Sequence, residues 1–452
     1  MLTLRAVTLS SALALGFLVS APLSAGQEDA ASTLFENVRI FNGTDTKLSP
    51  PSNVLVRDNV IDTISTDPII TDDSTRTTVI AGDGRTLMPG LIDAHVHIIM
   101  STIPIVVMMR ADPNYVALVS GRAAEEMLMR GFTSVRDLAG PTFGLKLAID
   151  RGTIAGPRIW PSGAMITQTS GHGDYRTVYD IPRGNNQPLH FTEQLGFSAI
   201  ADGRAEVLRR VREQLLQGAS QIKLAAGGGV ASDYDPLDVS QFTEDELRAA
   251  VEATEDWGTY VTVHAYTPDA VQTAIRAGVK VIDHGQLLDD ETVKIMAKQG
   301  IWWSMQPFLD DEDSIPFPEG SANREKQLEM TTGTDTAYKL AKKHGVKLAW
   351  GTDTLFDPKL ATRQGAQLAK MVRWFEPAEV LKMATHDNAQ LLALSGNRSP
   401  YKGKLGVVEV GALADLLLVE GDPLADIDLI ADEENLAVIM KDGQIFKNAD
   451  AE

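Results

Sequence analysis

Between Leu91 and Leu394, short apolar runs recur eight times, each followed by a stretch of helical periodicity. The runs are GLIDAHVHI, TSVRDLA, RIWPSGA, QIKLAAGGG, YVTVHAY, VIDHG, WWSMQP and KLAWGTD. Between them lie amphipathic segments such as EDELRAAVEATEDWG and DTAYKLAKKHG. The second ends at His344-Gly345, where a glycine just past the last turn is a helix C-terminus signal. Eight strand–helix units in succession predict an α/β fold, a (β/α)8 TIM barrel. The long connection from Ser170 to Gly203 is rich in Gly, Asn, Pro and Arg, and reads as a pocket wall or lid.

The flanks have a different texture. TLFENVRIFNGTDTKLSPPSNVLVRDNVIDTIST alternates β-branched runs with Asn-Gly and Pro-Pro turns, and GVVEVGALADLLLVEGDPL and LAVIMKDGQIFKN repeat the pattern at the far end. The Asp-Gly of KDGQ between apolar runs is a hairpin signal. Two β-rich ends bracketing one long middle predict an accessory β-sandwich built from both termini, residues 26–90 and 395–452, around a barrel of residues 91–394. Residues 1–25 have the build of a secretory signal peptide: Arg5, an apolar stretch from Ala6 to about Val19, then small residues up to Ala25. Export to the periplasm or medium is expected. No other segment approaches the roughly 20 apolar residues of a membrane span, so no stable span is expected once the signal is cleaved.

Composition narrows the partners. Of the 452 residues, 41 are Lys or Arg and 61 are Asp or Glu, a net charge of -20. Such a surface repels nucleic acid and anionic membranes. There is no cysteine, so a metal must be held by His, carboxylate or a modified Lys.

In this barrel the active site lies at the C-terminal ends of the strands. The first strand ends in His95 and His97, which share a face because alternate residues point the same way. The fourth gives Lys223, the fifth His264, the sixth His284 and the eighth Asp353. Each has a plainer account alone: His264 as a core histidine, His284 as a turn residue, Asp353 as a helix cap, Lys223 as a snorkelling cation. Together they place four of the eight histidines of the chain at strand ends with an aspartate on the last strand, which packing does not require.

Lys223 decides the type of centre. An ammonium would be repelled by metal ions, and burial disfavours its charged form. The neutral amine reacts with carbon dioxide to give a carbamate, whose oxygens can bridge two cations. The expected site is therefore binuclear, its ions roughly 3.5–4 Å apart. His95, His97 and Asp353 hold one ion, His264 and His284 the other, and N6-carboxylated Lys223 lies between them. Zinc is the default for such ligands.

With these motifs in this order, the chain resembles the amidohydrolase superfamily, in its binuclear metal-dependent branch. PGLIDAHVH, the strand-four lysine, HAY, DHG and GTD follow the family's order, and ATHDNAQLLALS with GKLGVVEVGALADLLLVEGDPL resembles its return into the accessory domain. QIKLAAGGG and SGHGDYR further resemble an exported, imidazolonepropionase-like branch with Xaa-Pro and Xaa-Lys/Arg-type dipeptidases and ochratoxin-hydrolysing amidohydrolases. One departure is THDNAQ, where relatives often carry Asn-Pro-Ala, a difference expected to touch only local helix geometry. The resemblance implies a hydrolase of amide bonds, dipeptidase- or carboxypeptidase-like, releasing a C-terminal amino acid, with ochratoxin A-type N-acyl phenylalanine amides among its possible substrates. It also implies a homo-oligomer, and Asp353 as base as well as ligand.

His172, in TSGHGDYR, is the second catalytic candidate, placed to bond the substrate's carbonyl or carboxylate. Tyr234 and Arg176 are candidates for the same wall, Arg176 as a carboxylate partner. Ile105 to Met109 read either as an apolar wall or as helix core. His190, His344 and His386 read as structural. The alternatives are a cyclic amide or lactone hydrolase, a one-metal deaminase on the same barrel, and a non-catalytic assembly subunit, which should have lost ligands that this chain retains.

Overall fold

The computed structural model describes residues 32–71, 77–183 and 187–451. The expected signal peptide, residues 1–25, lies outside them. All eight apolar runs are strands: Leu91–Val96, Phe132–Asp137, Arg158–Pro161, Ile222–Ala225, Val261–Ala265, Val281–His284, Trp302–Met305 and Lys347–Trp350. In the first seven every residue is buried, as expected of parallel strands covered on both faces. Two short strands, Met165–Thr167 and Ser198–Ile200, were not foreseen. The second lies inside the long connection, which is thus partly ordered into regular structure.

The strands pair in parallel as two arcs, one of the first three and one of the remaining seven. Contacts join the arcs at both ends. Ser220 N donates to the Pro161 carbonyl at 2.8 Å, and Asp353 N donates to the His95 carbonyl at 2.8 Å. Asn388 spans the second junction: Nδ2 donates to Ile92 O at 2.7 Å and Trp350 O at 2.8 Å, and Oδ1 accepts from Trp350 N at 3.1 Å. This is the Asn of the departing THDNAQ motif. The helix there takes a wider π turn over Met383–Asp387.

The helices follow their caps. Glu244–Asp256 begins at Thr243, whose backbone N–H is accepted by Glu246 Oε2 at 2.7 Å, a capping box. The expected DTAYKLAKKHG helix is the second half of a longer one, Ala322–His344, which starts at the Ser321 cap and stops at Gly345, φ 63°. No helix among the described residues is long and apolar enough to cross a membrane.

The two β-rich flanks pair with each other. Thr86–Pro89 pairs in parallel with Ser32–Ile40 and antiparallel with Leu416–Val419, so strands from both ends share one sheet. The KDGQ hairpin joins Leu436–Lys441 to Gln444–Asn448, with Asp442 and Gly443 at φ 54° and 72°, the conformation a two-residue hairpin turn demands.

Candidate metal centre

Parallel strands bring their C-terminal ends to one side, and the expected ligands converge there. Asp353 Oδ1 lies 3.0 Å from His97 Nε2 and 3.3 Å from His95 Nε2, and Oδ2 lies 3.9 Å from His284 Nδ1. The His284 ring is 5.0 Å from that of His95 and 4.4 Å from that of His264. Lys223 is buried beneath them. His284 and Asp353 occupy positive φ, 74° and 50°. Non-glycine residues hold such backbone only where the surroundings enforce it, often at functional sites.

The residues fit divalent cations. One donor atom each from His95, His284 and Asp353 lie within 4.8 Å of one another. Among the described residues, His97 Nδ1 is a buried polar atom with no hydrogen-bond partner, which native structures rarely leave without reason. His264 Nε2 donates to the Gly228 carbonyl at 2.9 Å, leaving Nδ1 as the free lone pair. Burial pushes His95 and His264 well below the usual imidazole value, and brings His284 down to about 4 against the pull of Asp353. The rings are therefore neutral, as ligands must be. Burial would raise the Asp353 carboxyl, but the hydrogen bond from the adjacent His97 and the neighbouring His284 and Lys223 outweigh it and hold it below the ordinary range.

Beneath the ligands is a buried ionic cluster that sequence reasoning missed. Asp283 accepts from Lys223 Nζ at 2.6 Å, Thr262 Oγ1 at 2.6 Å and Arg136 at 2.7 Å. Arg136 also donates to the Ala94 carbonyl and to Ser304 Oγ. Arg136 and Asp283 are fully buried. The available signal was a charged residue inside two otherwise buried strand runs, SVRD and VIDH.

Two adjoining cavities share His172, His264 and Asp353. One contains the metal-centre residues with Met100 and Tyr175; the other has an apolar wall of Val230, Phe308, Leu309, Ile315, Met330 and Leu355. His172 lines both cavities, stacked on His264 with centroids 4.1 Å apart and Nδ1 2.7 Å from Ser232 Oγ. The glycine run explains the stacking: a Cβ at Gly229 would fall 1.9 Å from His172 Nδ1, and one at Gly228 would fall 1.7 Å from the Pro236 carbonyl. These glycines make room for protein neighbours.

The other wall candidates are placed elsewhere. Arg176 donates its fork to Asp174 at 2.8 and 2.7 Å and lines neither cavity; its neighbour Tyr175 does. Tyr234 is half exposed and lines neither cavity, whereas Tyr266 lines the apolar one. Tyr266 follows His264 by two residues in HAY, the same-face spacing of a strand, a signal that could have found it. Val106 and Val107 are exposed and the Ile105–Met108 helix forms no cavity wall. His190, His344 and His386 bond Thr192, Asp290 and Asp387 respectively, away from the centre.

Residues 86–446 match the amidohydrolase family. The chain is 33% identical to ochratoxinase of Aspergillus niger over 386 residues, covering 80% of this chain and 75% of that one. A solved prolidase complexed with N-methylphosphonate-L-proline is 31% identical with TM-score 0.83, covering 92% of this chain and 100% of its own. A Xaa-Pro dipeptidase with methionine in its active site is 28% identical with TM-score 0.78, covering 92% and 100%.

Proposed function

The chain belongs to the amidohydrolase family, and from that premise we propose that it is a binuclear metallohydrolase that releases a C-terminal amino acid from a dipeptide or N-acyl amino acid. Ochratoxin A-type N-acyl phenylalanine amides fall within this class. The observation that carries the reading is the convergence of four histidines, Asp353 and Lys223 in one buried cluster that opens onto an apolar cavity. Similarity to an ochratoxinase, a prolidase and a Xaa-Pro dipeptidase supports the same choice.

We read the two parallel arcs as one (β/α)8 barrel over residues 91–394, with residues 26–90 and 395–452 as the accessory β-sandwich. His95, His97 and Asp353 would hold one divalent cation and His264 and His284 a second, zinc being suited to such ligands. Lys223 would bridge them as its carbamate, formed when the neutral amine adds to carbon dioxide and releases a proton. Bound there, the cations supply Lewis acidity toward a substrate carbonyl and toward water.

The protein's own groups do the rest. Asp353 is ionised at neutral pH, so it can take a proton from the attacking water and pass it to the leaving nitrogen. His172 and the phenols of Tyr175 and Tyr266 line the cavities as hydrogen-bonding groups. Burial, then Asp353, pushes Tyr175 up to about 12, and burial raises Tyr266 further; both are neutral donors. The wall of Phe308, Leu309 and Met330 suits an apolar or aromatic side chain. We further read the chain as exported after removal of residues 1–25, and as a homo-oligomer.

One observation favours a second reading. Among the described residues, no Lys or Arg apart from Lys223 lines either cavity, so they offer no cationic fork to a free carboxylate. A cyclic amide or lactone would need none. A library of dipeptides, N-acyl amino acids, lactones and cyclic amides, assayed with metal-analysed protein, separates the two. Release of C-terminal residues supports the first reading, and turnover confined to rings supports the second.

A further inference from the structure

Gln306 follows the Trp302–Met305 strand and is fully buried. Its amide lies between two of the proposed ligands. Oε1 is 2.7 Å from His284 Nδ1, and Nε2 is 3.2 Å from His95 Nδ1. The Nε2 end also donates to the Ser304 carbonyl at 3.3 Å, a bond only a donor can make, and this sets which way the amide is turned. One end of a primary amide accepts and the other donates. The two imidazoles therefore cannot meet Gln306 in the same tautomer. At His284, Nδ1 carries the proton and Nε2 keeps a free lone pair. At His95, Nδ1 accepts, so the neutral ring carries its proton on Nε2, the nitrogen 3.3 Å from Asp353 Oδ1. His95 has no good alternative acceptor for an Nδ1 proton, because Asp283 Oδ1 is 3.6 Å away and already receives Arg136. Turning the amide over would exchange the two rings, keep the conflict and lose the Ser304 bond.

We propose that Gln306 is a positioning residue that makes the two metal positions unequal. It holds His284 ready to bind through Nε2 and holds His95 in the opposite tautomer. The position of His264 and His284 therefore fills first and more tightly, and that of His95, His97 and Asp353 second. This rests on the two-ion reading above. Hydrogen-bond partners of ligating histidines change metal affinity by about 10–100-fold, which sets the expected gap between the two steps.

The test is calorimetric titration of the chelator-stripped full chain with zinc, with circular dichroism confirming that each variant is folded. The wild type should bind in two steps whose Kd values differ by about 10–100-fold. Gln306→Glu presents acceptors to both rings, so the second step should tighten by about tenfold or more and the gap should narrow. Gln306→Leu removes the acceptor from His284, and the first step should weaken by about the same factor. A Gln306→Glu chain that keeps the wild-type gap overturns the proposal, as does a Gln306→Leu chain whose first step is unchanged. A wild type that binds one ion refutes the two-ion reading, and Gln306 is then judged on that ion alone. A weakened Kd in Gln306→Leu upholds the positioning role, and an unchanged one overturns it.

Discussion

Lys223 Nζ donates to Asp283 Oδ2 at 2.6 Å, with both side chains withdrawn from solvent. Asp283 supplies the counter-charge that lets a lysine stand among four imidazoles, and Arg136 on its other oxygen holds it in place. Burial still lowers the Lys223 ammonium in spite of Asp283. The neutral amine that reacts with carbon dioxide is therefore closer to hand than in an exposed lysine.

Lys223→Ala should abolish binding of two ions, because the nearby carboxylates are already committed, Asp283 to Arg136 and Thr262 and Asp353 to the His95–His97 position. A short carboxylic acid added to the variant should restore part of the activity by standing in for the carbamate. Metal analysis of the purified variant checks this; two ions and normal turnover would remove Lys223 from the bridge.

Asp353→Asn should leave the fold largely intact and lower kcat by about 10²–10⁴, the usual size of a general-base effect. Steady-state kinetics on the best dipeptide is the measurement. A variant within roughly tenfold of wild type, short of that range, would take Asp353 out of proton transfer.

Arg136→Met should destabilise the chain by about 3–5 kcal/mol, since it leaves Asp283 buried with one fewer cation. Denaturant unfolding of the two proteins gives the difference. A loss of about 0–1 kcal/mol, typical of an exposed pair, would mean that the cluster tolerates the missing charge.

If the substrate is a free acid, masking its carboxylate as an amide should sharply lower kcat/KM, and His172→Ala should shrink that discrimination. Equal turnover of the acid and the amide would shift the reading to lactones and cyclic amides, which cavity walls without Arg among the described residues accommodate.

What could be read in advance divides along physical lines. The eight strands and the six ligand candidates were legible because a buried parallel strand is a short apolar run, and chemistry collects at its C-terminal end. His172 was legible from its glycine neighbours. The choice between Arg176 and Tyr175 was not, because a loop has no period to say which residue faces inward. Arg136 and Asp283 are 147 positions apart in sequence, and no local pattern pairs them. Gln306 is silent for the same reason: its role depends on His95, 211 residues away, and on His284. Ile105 to Met109 could be read as apolar wall or as helix core; Phe308, Leu309 and Ile315, after the seventh strand, line the cavity instead, since both segments are equally greasy and only packing separates them.

A two-ion centre is tested by counting divalent ions per chain in the purified, active protein by elemental analysis. Two per chain are expected. One would point instead to single-metal deaminase chemistry, and none, with activity retained, would rule out a metal-dependent hydrolase.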